Sequence, residues 1–100
     1  MYANGEGVIQ DHKEAVKLFR LSAEQSDARA QRSLGFMFER GLGVHLNRVY
    51  AYMWYDIASA NGLNLAAKSR DIISKQMTPS QIEKAQELTR QCIEKEYKDC

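Results

Sequence analysis

The sequence predicts an all-α chain of five helices, stacked as an αα-superhelix (a solenoid) of about two and a half helix-pair repeats. Three observations predict it. The first is self-similarity: Tyr2-Ala3-Asn4-Gly5-Glu6-Gly7-Val8 returns as Phe38-Glu39-Arg40-Gly41-Leu42-Gly43-Val44, at an offset of 36 residues. Without gaps, that offset also sets Ala15 on Ala51, Leu18 on Trp54, Phe19 on Tyr55, Leu21 on Ile57 and Ala30 on Ala66. The second is apolar spacing of mostly three and four residues, the period of a helix face. The third is the scarcity of helix breakers: Pro79 is the single proline.

Taken in order, Tyr2 to Asn4 read as the last turn of a helix, which Gly5 ends and Gly7-Val8 turns. Asp11-His12-Lys13-Glu14 reads as a capping box. Helix one follows from about His12 to Gln25, with Ala15, Leu18, Phe19, Leu21 and Ala23 as its apolar positions. Ser26-Asp27 ends it and caps helix two, which runs from Ala28 to Arg40 with Ala30, Leu34, Met37 and Phe38 inward. Gly35 lies mid-helix, where glycine costs about 1 kcal/mol relative to alanine, so close approach of a neighbouring helix is expected there. Gly41-x-Gly43 forms the next corner, and Asn47 caps helix three. Its inner stripe is Ala51, Trp54, Tyr55 and Ala58, with Tyr50 and Tyr52 expected to be partly exposed. Helix four spans about Asn64 to Gln76, with Ala66, Ala67, Ile72 and Ile73 as its apolar positions. Thr78-Pro79-Ser80-Gln81 starts helix five: a threonine cap, proline at the first helical position, glutamine three residues after the cap. Ile82, Ala85, Leu88, Cys92 and Ile93 form one face of this helix, and Glu83, Lys84, Glu87, Arg90, Glu94 and Lys95 the other. The charged face suits the capping end of an open stack. The whole, residues 1–100, reads as one domain of units 1–26, 27–62 and 63–100, the C-terminal part of a longer array.

Composition sets the bounds of function. Net charge is +1 and is evenly spread: residues 1–62 hold seven basic and seven acidic groups, residues 63–100 seven and six. No basic field points to nucleic acid or an anionic membrane. No run of about 18 apolar residues could span a bilayer, and the first twenty residues lack a signal-peptide pattern. The compartment stays open between cytoplasm and, with a leader removed, periplasm. Cys92 and Cys100, eight residues apart on one helix, would lie roughly 12 Å apart. A disulfide needs Cα atoms within about 7 Å. The expectation is that the two do not bridge each other while that helix is intact, with Cys92 a small buried core residue and Cys100 exposed.

As a set, Ala30, Leu34-Gly35, Phe38, Gly41-Leu42-Gly43-Val44, Asn47, Ala51, Trp54-Tyr55, Ala58 and Gly62 resemble the Sel-one-like repeat family, relatives of the tetratricopeptide repeats. In the first unit Tyr2, Gly5-Glu6-Gly7-Val8, Asp11, Ala15, Phe19 and Ala23 match the same pattern, and Met77 to Ile82 with Ala85-Gln86 looks like the usual ending of bacterial members. Leu18 departs from the family's tryptophan and Ser26 from its corner glycine. The resemblance implies a solenoid that holds other proteins, an adaptor or scaffold in a larger assembly. It also implies that the first helix of each pair lines the concave side.

On that side Arg29, Arg32, Phe36 and Arg40 fall on one stripe of helix two; one repeat on stand Leu65, Lys68, Ile72 and Gln76. Arg29, Arg32, Phe36, Arg40, Lys68 and Ile72 are therefore the candidate partner-binding residues, a groove suited to an acidic, apolar peptide. Ile72 also fits the core stripe of helix four. The other reading is a structural C-terminal cap that ends a longer solenoid and binds nothing itself. Chemistry is not expected. The paired glycines lack the lysine and Ser/Thr of a phosphate loop. His12 and His45 lack ligand spacing, and no Gly-x-Ser-x-Gly elbow occurs, so no metal, cofactor or catalytic residue is predicted. With Tyr2, Leu18 and Phe19 uncovered on one side, a homodimer through the N-terminal end is expected.

Overall fold

The computed structural model describes residues 11–100. Within them run five helices: α1 (His12–Glu24), α2 (Ala28–Arg40), α3 (Arg48–Ala60), α4 (Asn64–Ser74) and α5 (Pro79–Glu94). No strand occurs among the described residues. The tyrosine and glycines of the first corner, Tyr2, Gly5 and Gly7, lie outside them.

The stack is built around α3, which packs on α2, α4 and α5, while α1 packs principally on α2. Three neighbours explain why α3 is buried nearly all round: Ala51, Tyr52, Met53, Trp54, Tyr55, Ile57 and Ala58 are all in the core. The inner stripe read from periodicity was therefore too narrow, and Tyr52, expected to be partly exposed, is buried. Its hydroxyl accepts from Gln86 Nε2 at 3.3 Å. Tyr50 is exposed and meets Phe38 edge-on, with ring centroids 5.4 Å apart.

The opposite correction applies to α1. Repeat register equates Leu18 with Trp54, yet Leu18 is 56% exposed and Leu21 63%, and Val16 and Ala23 are the buried positions. A register predicts which face a residue occupies. Whether that face is covered depends on how many helices surround it. In α4, Ala66 and Ile73 are buried and Ile72 is exposed; in α5, Ala85, Thr89 and Cys92 are buried while Ile93 is exposed.

Caps follow backbone geometry. Asp27 (ψ 106), Asn47 (ψ 105) and Thr78 (ψ 158) have the extended backbone that swings a side-chain oxygen over the first turn's free amides. Each accepts from them, and Thr78 with Gln81 completes the expected capping box. Asp11, at ψ 42, does not have that backbone and makes no side-chain cap bond, so the capping box read at Asp11–Glu14 is absent. At the α2–α3 corner Gly41 and Gly43 both have positive φ, and a Cβ on Gly43 would stand 2.6 Å from the His12 carbonyl oxygen. That close approach packs the corner against the start of α1.

The C-terminus corrects the cysteine reading. Cys92 and Cys100 form a disulfide, with Cα atoms 5.7 Å apart. The 12 Å expectation assumed one continuous helix. In fact α5 stops at Glu94, and Glu96 (φ 56), Tyr97 (φ 69) and Asp99 (φ 58) turn the chain back on itself in the left-handed region. Cys100 then packs against the core rather than lying exposed.

Candidate functional site

The stripe on α2 begins with Arg29, exposed in the first turn, and ends with Arg40 in the last. The same helix buries Ala30, Gln31, Leu34, Gly35, Met37 and Phe38 against its neighbours, so the residues between these point outward. Phe36 is 40% exposed, and the Arg40 guanidinium stands over its ring, Cζ 4.9 Å from the centroid. One turn back, Arg32 is half-buried, and its Nε is enclosed with no acceptor among the described residues.

Phe36 opens onto a shallow groove of about 330 Å³ lined by Phe19, Arg32, Ser33, Phe36 and Met37. The groove thus lies between α1 and α2. Of the six sequence candidates it brings Arg32 and Phe36 together, with Arg40 over the ring. Arg29, Lys68 and Ile72 do not line it. Lys68 and Ile72 stand on α4, Ile72 60% exposed and Leu65 beside it 55% exposed. Periodicity assigned Phe19 to the core, and it is half-buried: one side packs on the core and the other lines the groove. A residue with both roles has the sequence signal of a core position only.

Behind the arginines lies a buried polar contact. The Tyr55 hydroxyl donates to Glu39 Oε1 at 2.6 Å. Burial, then the hydrogen bond to Glu39 and its charge, push the Tyr55 phenol well above its ordinary range; Arg32 and Arg40 oppose this weakly. Glu39 is therefore engaged from the α3 side. On α4, Arg70 bonds Asp56 of α3 at 2.9 Å and Asp71 at 3.2 Å. Burial works to lower the Arg70 pKa, but these two carboxylates outweigh it, and the guanidinium titrates above its usual value. Arg70 thus ties α4 to α3.

Among the described residues no group of three or more His, Cys, Asp or Glu could hold a metal ion, and no helix is long and apolar enough to cross a membrane. What the described surface of α2 presents is an apolar side chain, Phe36, flanked by the cations Arg32 and Arg40.

Comparison with known proteins agrees with this architecture. The Sel1 repeat family profile matches residues 1–27 and 28–63. A sel1-like repeat-containing protein, L21, of Acanthamoeba polyphaga mimivirus is 35% identical over 49 residues, which are 49% of this chain and 9% of that protein. The crystal structure of c5321, a protective antigen present in uropathogenic Escherichia coli strains and displaying an SLR fold, superposes with a TM-score of 0.81 at 36% identity. That match covers 87% of this chain and 20% of the other. The chain spans a small part of the length of both.

Proposed function

The chain belongs to the Sel1 repeat family, whose repeats are protein-interaction modules, and from that premise we propose that it is a docking module for an acidic, apolar segment of a protein partner. The observation that carries the reading is Phe36: a large side chain left 40% exposed on α2, with Arg40 over its ring and Arg32 beside it in the groove. Desolvating Phe36 would supply affinity, and the arginines would select carboxylates. Arg29 on α2 and Lys68 and Ile72 on α4 are exposed, and in this reading they would serve as a cationic and apolar margin outside the groove.

A displayed library of random peptides tests this. Selection on the intact chain should enrich acidic peptides carrying one or two large apolar residues, and these should fail to bind the folded Phe36→Ala, Arg32→Glu double variant. Peptides that bind both proteins equally would reject the assignment of the face.

The charged outer face of α5, where Glu83, Lys84, Arg90 and Glu94 are exposed, favours a second reading. It is that of a terminal cap for a longer stack, with no ligand of its own. Under that reading the selection yields nothing. Self-association is a separate part of the proposal. Exposed Leu18 and Leu21 on α1 support a homodimer through the N-terminal side, which sedimentation at micromolar concentration would detect and Leu18→Glu would dissolve.

A further inference from the structure

We propose that the Cys92–Cys100 disulfide is a redox latch: oxidised, it holds Tyr97 in place as the first link of a hydrogen-bonded chain across the stack, and reduction releases that link. Three observations carry this. The turn beyond α5 places Glu96, Tyr97 and Asp99 in the left-handed region; aspartate tolerates it, but Glu96 and Tyr97 are side chains that disfavour it. The non-covalent bonds within the turn are short-range: the Glu96 amide donates to the Ile93 carbonyl at 3.0 Å, the Tyr97 amide to the Cys92 carbonyl at 2.9 Å, the Lys98 amide to the Lys95 carbonyl at 3.2 Å and Lys95 Nζ to the Asp99 carbonyl at 3.4 Å. The disulfide closes the same loop covalently, so it is the constraint that persists when those bonds fluctuate.

The third observation is where Tyr97 reaches. Its hydroxyl donates to Asn61 Oδ1 at 3.2 Å; Asn61 Nδ2 donates to Gln31 Oε1 at 2.9 Å; Gln31 Nε2 donates to the Ala23 carbonyl at 3.0 Å. The chain runs in one direction from the C-terminal turn through the ends of α3, α2 and α1. Gln31 is fully buried, so its amide depends on these two partners. Each bond polarises the next. The latch thus acts at the C-terminus and is felt at the α1–α2 turn, far along the sequence.

The chemistry needs a dithiol reductant. Cys92 is 1% exposed, whereas Cys100 is partly open, so a dithiol thiolate attacks Cys100 Sγ. The Cys92–Cys100 bond breaks, a mixed disulfide forms on Cys100, and Cys92 leaves as a thiolate and takes a proton. The second thiol of the reductant then displaces Cys100, which is also protonated. Two electrons pass, and the reductant ends as a disulfide.

Hydrogen exchange on the whole chain, before and after dithiothreitol, tests the latch. Reduction should raise exchange at residues 95–99 by about tenfold or more and at residues 59–63 by a smaller factor, with helical circular dichroism unchanged. Cys100→Ser should exchange at the reduced rate and ignore dithiothreitol. Oxidised Tyr97→Phe should keep residues 95–99 protected yet loosen residues 59–63, which separates the hydroxyl's role from the staple's. Equal protection in the two redox states would overturn the proposal, because the disulfide would then be a passive staple. Global unfolding on reduction would overturn it as well, because the release would not be local.

Discussion

Gly35 lies against the ring of Tyr55: a Cβ on Gly35 would stand 2.6 Å from Tyr55 Cδ1 and 2.7 Å from Cε1. The absent side chain is the seat of the tyrosine, and this contact sets how closely α2 and α3 approach. The ring cannot yield, because Tyr55 is buried and its hydroxyl is held by Glu39. Gly35→Ala gains about 1 kcal/mol of helix propensity, yet overpacking costs about 1–3 kcal/mol. The expected outcome is net destabilisation, read as a lower urea midpoint. A more stable variant would contradict the contact.

Trp54 is 1% exposed at the centre of α3. Truncating a buried tryptophan costs about 3–5 kcal/mol, which approaches the whole stability of a small domain at about 5–15 kcal/mol. Trp54→Ala should therefore melt far below the parent protein or fail to fold. A melting temperature close to the parent's would rule out α3 as the centre of the stack. Leu18, its repeat equivalent, is exposed, so Leu18→Ala should shift the stability of the monomer, measured at a concentration too low for association, by no more than about 0.5 kcal/mol.

The two aspartates before α1 and α2 should behave differently. Asp27 accepts from the amides of Arg29 and Ala30, at 3.0 and 3.3 Å. Losing such a cap costs about 1 kcal/mol, and Asp27→Ala should show it in chemical denaturation. Asp11 makes no cap bond, and Asp11→Ala should stay within about 0.5 kcal/mol of the parent. Equal losses at both positions would mean that Asp11 caps α1 in solution.

Tyr55 gives a pH signature. Its folded pKa is raised above the unfolded value of about 10. The neutral phenol is therefore the form the fold favours. Its contribution is complete below pH ~10 and is lost above that as the unfolded chain ionises first. Over that alkaline range the stability of the parent should fall with pH more steeply than that of Tyr55→Phe, which has no proton to lose. Parallel curves for the two proteins would show that Tyr55 is not held neutral.

Local chemistry was legible in the sequence wherever a single element decides the outcome. Helix starts at Ala28, Arg48, Asn64 and Pro79 lie where capping and corner residues placed them, and α2 buries Ala30, Leu34, Met37 and Phe38 as its period required. Gly35 announced a close helix contact because mid-helix glycine is otherwise unfavourable. The exposed Phe36 and Arg40 also followed from periodicity, being what is left once the inner face of α2 is assigned; Ile72 fitted the core stripe of helix four as well, and its exposure was not decided by the period. Burial that depends on how many neighbours surround a helix was not legible. Among the described residues, Tyr52 is buried because α3 has three partners, and Leu18 is exposed where α1 packs principally on one. The groove at Phe36 closes on Phe19 of α1 for the same reason, since which helix supplies the far wall is a property of the stack. The disulfide was hidden too. No glycine marks the turn at Glu96, Tyr97 and Asp99, and L residues enter the left-handed region only where surrounding contacts hold them. Here those contacts are Cys92, fixed on α5, and Asn61 at the end of α3. Sequence period determined the helices and the inner face of α2; tertiary packing decided how many sides of each helix are covered and where the chain folds back to close the Cys92–Cys100 bond.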